Sequence, residues 1–328
     1  MFGVLGTPAL QLRGYGDVQY HLSDRRGEKS AFALGQLDLF ITSQLSDDVS
    51  VLSELVLEGG DDNTFGFEIE RLLLQYAPSD YLNIGVGRYH TAIGYYNTAY
   101  HHGTWFQTAT GRPFLFAFED EDGILPIHNV GVTATGRVPS GKLGLHYIAE
   151  VGNGRPYSPG EEQVGNITDN NNGKAVNFGL FARPDWVPGF QTGVSVYRDR
   201  LTPKGLRSIG QTIFAGHAVY QTPAFEWLNE ELVIRHDPRR QSSVHTAGFY
   251  TQLSQQFGKF RPYFRYQYLN APGSDPLFGQ DVGRRHGPTL GLRYELTDFA
   301  ALKIQYDHTA RRARRSLNEM TLQAAFAF

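Results

Sequence analysis

Apolar residues recur at every second position along most of this 328-residue chain, the period of a β-strand with one apolar and one polar face. Met320, Leu322, Ala324, Phe326 and Phe328 share one face of the last segment, and Glu319, Thr321 and Gln323 share the other. Phe260, Pro262, Phe264, Tyr266 and Tyr268 oppose Arg261, Tyr263, Arg265 and Gln267 in the same way. The pattern predicts strands over 9–22, 31–45, 49–59, 65–77, 82–91, 129–139, 142–153, 175–184, 190–201, 211–222, 225–237, 243–257, 260–270, 287–297, 300–310 and 316–328. Leu82 to Arg88 fits either face, which predicts a β-bulge there. Strands of about 10 to 14 residues match a tilted crossing of a hydrocarbon layer, and an even number near sixteen suits a closed bacterial barrel.

The connections alternate in length. Short turns such as Ser46–Asp48, Pro78–Asp80, Thr222–Ala224 and Gly258–Lys259 alternate with longer stretches at 23–30, 60–64, 92–128, 154–174, 202–210, 238–242, 271–286 and 311–315. Periplasmic turns and external loops produce that rhythm. The predicted fold is all-β: one domain, 1–328, a closed antiparallel transmembrane β-barrel of about 16 strands with a long third external loop, 92–128, folded into its lumen.

Composition adds to this picture. The mean hydropathy is -0.36 and no run approaches the length of a membrane helix, which leaves strands as the means of crossing. Eighteen Tyr, 22 Phe and 37 Gly suit short strands, tight turns and aromatic girdles. The absence of Cys fits passage through an oxidising compartment. A net charge of -3 offers no footprint for nucleic acid. Met1 to Ala9 lacks a basic n-region and an apolar h-region, so the sequence is expected to be a mature form or to start late.

Candidate chemistry gathers in two places. Loop 92–128 carries Tyr95, Tyr96, Tyr100, Trp105, Phe106, Phe114, Phe116 and Phe118, more aromatic surface than a solvated loop holds. His101, His102, Glu119, Asp120, Glu121 and Asp122 make its polar edge. Two placements serve such a loop, a constriction inside the barrel or packing over the rim or a neighbouring subunit. Adjacent histidines lack metal-ligand spacing, so neither a metal nor another cofactor is expected. Arg13, Arg71, Arg183, Arg235, Arg261, Arg265, Arg293, Lys303, Glu54, Glu231 and Glu295 are expected to line the lumen, because a lipid-facing Arg at the midplane costs about 2–4 kcal/mol. They either pair across strands and stiffen the wall or, with Arg261 and Arg265 in a basic strip opposite the acidic loop, set a transverse field. The two signs nearly balance and fix no ion preference. His21, His90, His217, His245 and His308 are scattered without a Ser or acid at catalytic spacing, so the chain is read as non-enzymatic.

The terminal Leu322-Gln-Ala-Ala-Phe-Ala-Phe328 resembles the C-terminal signature of outer-membrane barrels. Gly85-Val-Gly-Arg-Tyr-His-Thr-Ala-Ile-Gly94, entering the long loop, resembles the corresponding stretch of the phosphate-selective porin O/P superfamily. Residues 112–123 depart from the glycine-rich constriction motif of general porins. The resemblance implies an outer-membrane porin of a Gram-negative bacterium, commonly a trimer. Such a protein is a passive channel for small hydrophilic solutes or ions, with selectivity set by loop 92–128 and the lumenal Arg and Glu strips. It also implies a preference for anions. Its surroundings would be outer-membrane lipid and lipopolysaccharide, whose phosphates Arg311 to Arg315 could meet. The competing expectation is a barrel scaffold or sheath for a partner-dependent export or conduit complex.

Overall fold

A computed structural model describes residues 9–60, 63–100, 103–118, 123–156, 167–279, 281–312 and 314–328. Sixteen strands form where the alternation places them. They are β1 (Ala9–Ser23), β2 (Ala31–Gln44), β3 (Val49–Gly59), β4 (Phe65–Ser79), β5 (Leu82–His90), β6 (His128–Arg137), β7 (Leu145–Gly152) and β8 (Ala175–Ala182), followed by β9 (Phe190–Leu201), β10 (Ile209–Gln221), β11 (Phe225–Pro238), β12 (Val244–Gln255), β13 (Phe260–Asn270), β14 (Arg284–Thr297), β15 (Ala300–Arg311) and β16 (Leu317–Ala327). Each pairs antiparallel with its sequence neighbour, and β1 pairs β16 from Tyr15↔Ala327 to Ser23↔Glu319, closing the barrel. Closure leaves the sheet without a free edge strand, a requirement for any sheet surrounded by hydrocarbon.

The two faces of the wall are inverted relative to a water-soluble protein. On β15 and β16, Leu302, Ile304 and Leu322 are 46%, 42% and 41% exposed, while Lys303, Gln305 and Gln323 between them are 3%, 3% and 4% exposed. The apolar residues therefore form the outer surface, as a lipid-facing band does, and the polar residues turn inward. Aromatic pairs mark both edges of that band. Tyr20 and Phe32 meet at 4.7 Å near the long connections, and Phe260 and Tyr294 at 5.0 Å near the short turns.

Two irregularities fall away from where the sequence suggests. The β5–β6 ladder runs unbroken from Asn83↔Thr135 to His90↔His128, and the register shift beside it lies between Tyr76 and Ser79 on β4. A second shift opens β4 against β3 between Glu54↔Arg71 and Leu55↔Ile69, so Glu70 is an extra residue in the wall.

The faces of β11 also differ from expectation. Glu226, Leu228, Glu230, Leu232, Ile234 and His236 are buried, whereas Glu231, Val233 and Arg235 are exposed. Glu231 and Arg235 thus sit on the outer surface rather than in the lumen. The cause is local. Leu232, Val233 and Ile234 make both parities apolar, and the Glu230-Glu231 pair puts an acid on each face, so alternation alone cannot orient this strand.

Candidate functional site

Segment 91–127, between β5 and β6, makes contacts that converge on the inward face of the wall. Its two ends are tied together first. Thr91 N–H donates to Ile127 O at 2.9 Å, and the Asn97 amide donates to Thr91 O and Ile127 O at 2.8 and 3.1 Å. A single turn of helix, α1 (Tyr96–Ala99), follows. Among the described residues beyond it, the chain runs irregularly apart from a 3₁₀ turn at Phe114–Phe116.

Acids of the wall accept from one side of this segment. Glu150 accepts Ala92 N–H at 3.2 Å and the Asn177 amide at 2.8 Å. Glu230 accepts the N–H groups of Tyr95 and Tyr96 at 2.5 and 2.9 Å and the Tyr250 hydroxyl at 2.7 Å. Glu226 accepts from Tyr100, Thr108 and Gln252. Bases and amides across the barrel hold the other side. Lys303 donates to Thr104 O and Ala109 O, Arg293 to Gln107 O, and Arg265 to Thr110 O and Gly111 O. Gln305 both accepts Thr110 N–H and donates to Thr110 O, and Gln267 accepts Phe114 N–H. Buried charges need such charge-assisted partners, and here the backbone of one segment supplies them for both signs.

Apolar packing completes the attachment. Ile93, Tyr96, Leu115, Phe116, Ile124, Leu125 and Ile127 form one cluster with inward Leu228, Leu232, Ile234, Tyr250 and Leu269. Burial pushes the Tyr95 and Tyr96 phenols up to about 12, so both stay neutral hydrogen-bonding groups at any ordinary pH.

Besides Glu231 and Arg235 on the outer surface, the sequence-predicted residues separate into three groups. Tyr100, Trp105, Arg265, Arg293 and Lys303 belong to the attachment. Arg293 also pairs with Glu295 at 2.8 Å and lies 5.9 Å from the Trp105 ring. Arg13, Arg71, Glu54, Arg183 and Arg261 lie elsewhere on the inward side. Arg71 meets Glu54 at 2.6 Å, and Arg13 shares the inward parity of Tyr15 on β1. Arg183 and Arg261 sit at the short-turn end, where Arg261 donates to Pro223 O and Arg183 to Gln191. Arg261 therefore does not share a strip with Arg265 against the loop. His101, His102, Glu119, Asp120, Glu121 and Asp122 lie outside the described residues.

Alternation put Gln267 and Gln305 on the polar face of their strands without giving them a role, and it did not single out Glu226, Glu230 or Arg112. Arg112 stacks 4.1 Å over the Phe118 ring and 5.4 Å over Tyr96, fastening the segment to itself. Glu226 and Glu230 share a parity with Leu228 and Leu232, so the sequence carries no signal that turns them inward.

Open space lies towards both ends of the barrel. At the end with the long connections, a cavity of 490 Å³ is lined by Arg25, Arg284, Arg285, Arg311, Arg312 and Arg314, with Asp281 as the acid in the lining. Arg285 lies 4.9 Å over the Phe114 ring and so connects this cavity to the segment. Towards the short turns, a cavity of 520 Å³ is bounded by Tyr95, Arg183, Asp185, Gln191 and Gln221.

No known protein-family model matches the sequence, and no curated protein matches it. Solved structures match the fold along nearly the whole chain. The anion-selective porin from Comamonas acidovorans is 13% identical with a TM-score of 0.67, covering 98% of this chain and 100% of that one. OmpF of Salmonella typhi, solved in complex with daunomycin, is 11% identical with a TM-score of 0.65 and 97% coverage of both chains. The outer membrane channel DcaP of Acinetobacter baumannii is 10% identical with a TM-score of 0.65, covering 100% of this chain and 99% of that one. At these identities the likeness is one of fold.

Proposed function

We propose that this chain is a diffusion porin of a Gram-negative outer membrane, and that segment 91–127 folds into its lumen as the constriction. The observation that carries the reading is the attachment of that segment. Inward Glu150, Glu226 and Glu230 on one side and Arg265, Arg293 and Lys303 on the other all bond to residues between 92 and 111. A wall with an apolar outside and a charged inside needs lipid around it and water or polar chain within it. A barrel of about sixteen strands keeps an aqueous path unless something fills it. The cavities towards both ends support a path interrupted by the segment rather than a solid core. The reading extends to a homotrimer, as the resemblance to porins implies.

The preferred solutes are small anions. Six arginines around one cavity at the outer mouth raise the local concentration of negative solutes before they meet the constriction. Reversal potentials across a planar bilayer with a salt gradient test this. The expected sign is anion-preferring in dilute salt. The preference should shrink as the Debye length falls from about 30 Å at 0.01 M to about 3 Å at 1 M. Joint substitution of Arg284, Arg285 and Arg311 by Glu is expected to reverse the sign, and an unchanged reversal potential would refute the role given to the mouth. A folded, inserted barrel that passes no current would shift the reading to a scaffold for a partner complex.

A further inference from the structure

Apart from the segment's contacts, three titratable side chains meet inside the wall. The β4 bulge inserts Glu70, and the β4–β5 ladder begins at Leu72↔Arg88, just below it. His90 ends β5 and faces His128 at the start of β6, with ring centroids 5.5 Å apart and nearly edge-on at 68°. The Glu70 carboxylate meets His128 Nε2, and Glu54 Oε2 lies 3.4 Å from His90 Nε2. One ligand atom from each of Glu70, His90 and His128 lies within 4.8 Å of the others. The side chains of His90, His128 and Glu70 are only 3%, 6% and 4% exposed.

We propose that Glu70, His90 and His128 form a binding site for a borderline divalent transition metal, Zn²⁺ foremost. The donor set argues for that class. Two imidazoles and one carboxylate suit zinc or a neighbouring first-row ion, whereas Ca²⁺ and Mg²⁺ take oxygen cages. Ligands held about 2.0–2.2 Å from a tetrahedral ion lie roughly 3.3 Å apart, so side-chain rotation closes the existing spacing without moving a strand. Glu54 is placed to orient His90, as outer carboxylates do for metal-bound histidines.

The position gives the site a consequence for the channel. His90 and His128 flank the Thr91–Ile127 hydrogen bond that closes the base of segment 91–127. A metal there ties β4 to both roots of the segment. Metal occupancy should therefore steady the constriction, and this part of the inference rests on the porin reading above. Binding itself does not.

Titration of the refolded, chelator-stripped chain with Co²⁺, followed by displacement with Zn²⁺, tests the site directly. The expected result is one Co²⁺ per chain, with the visible absorption of a tetrahedral nitrogen and oxygen site, lost on adding Zn²⁺. His90→Ala and His128→Ala should each weaken uptake at least about tenfold. His21→Ala, which removes the more exposed His21–Glu28–Glu319 group, should leave it unchanged. Failure of the unsubstituted chain to take up Co²⁺ would overturn the proposal whatever the variants do. So would undiminished uptake by a His90→Ala, His128→Ala double variant with native strand content. Channel current enters neither result, so the site can fail while the porin reading stands, and the reverse.

Discussion

Glu230 accepts two backbone N–H groups and a tyrosine hydroxyl inside the barrel, while Glu231, one position on, lies in an outer groove with Val194, Phe214, Val233, Phe249 and Tyr268. The same side chain therefore has opposite effects on the two faces of one strand. Removing Glu230 strands buried donors, each worth about 1–3 kcal/mol when unpaired. Glu230→Ala is expected to lower stability by about 3 kcal/mol, read from the urea midpoint in lipid vesicles, and to make single-channel current noisier as α1 loses its anchor. Glu231→Leu removes a lipid-facing carboxylate, a smaller cost than the ~2–4 kcal/mol of a midplane Arg, and should raise stability by about 1 kcal/mol. Equal destabilisation by the two variants would contradict the assignment of faces on β11.

The strands follow from alternation because each is a two-sided object between lipid and a polar interior. β15 illustrates the case. Leu302, Ile304 and Tyr306 alternate with Lys303, Gln305 and Asp307, and the structure places the first set outside. Ile304→Arg should cost about 2–4 kcal/mol in the folding equilibrium measured in vesicles, whereas Gln305→Arg, on the inner face, should perturb chiefly the Thr110 contacts and the current. Comparable insertion of both variants would rule out the lipid-facing assignment. Such strands were readable in the sequence, as was the unusual aromatic content of residues 92–128. The segment's partners were not, because they come from strands far along the chain: Thr110 meets Gln305, and Tyr95 meets Glu230. Nor was β11's orientation, whose inward face is apolar where it receives Tyr96 and Phe116. The Glu70 bulge is invisible in the sequence for a related reason. Glu70, His90 and His128 have no short spacing, and only the β4–β5–β6 pairing brings them together.

Across the whole molecule, a closed wall surrounds open space towards both ends, and wall side chains such as Glu230 and Arg265 hydrogen-bond to described residues of segment 91–127 between 92 and 114. The sixteen strand ladders close without any contribution from that segment, so the barrel should tolerate its removal. On the porin reading proposed above, this segment sets the width of an otherwise open channel. The most direct test compares single-channel conductance of the intact chain with that of a variant in which residues 95–125 are replaced by a short Gly-Ser linker. A constricting segment predicts stable open steps from both, with the shortened variant conducting several-fold more and discriminating less between small and large solutes. Equal conductance from two folded, inserted proteins would contradict it and place the segment outside the path of the current.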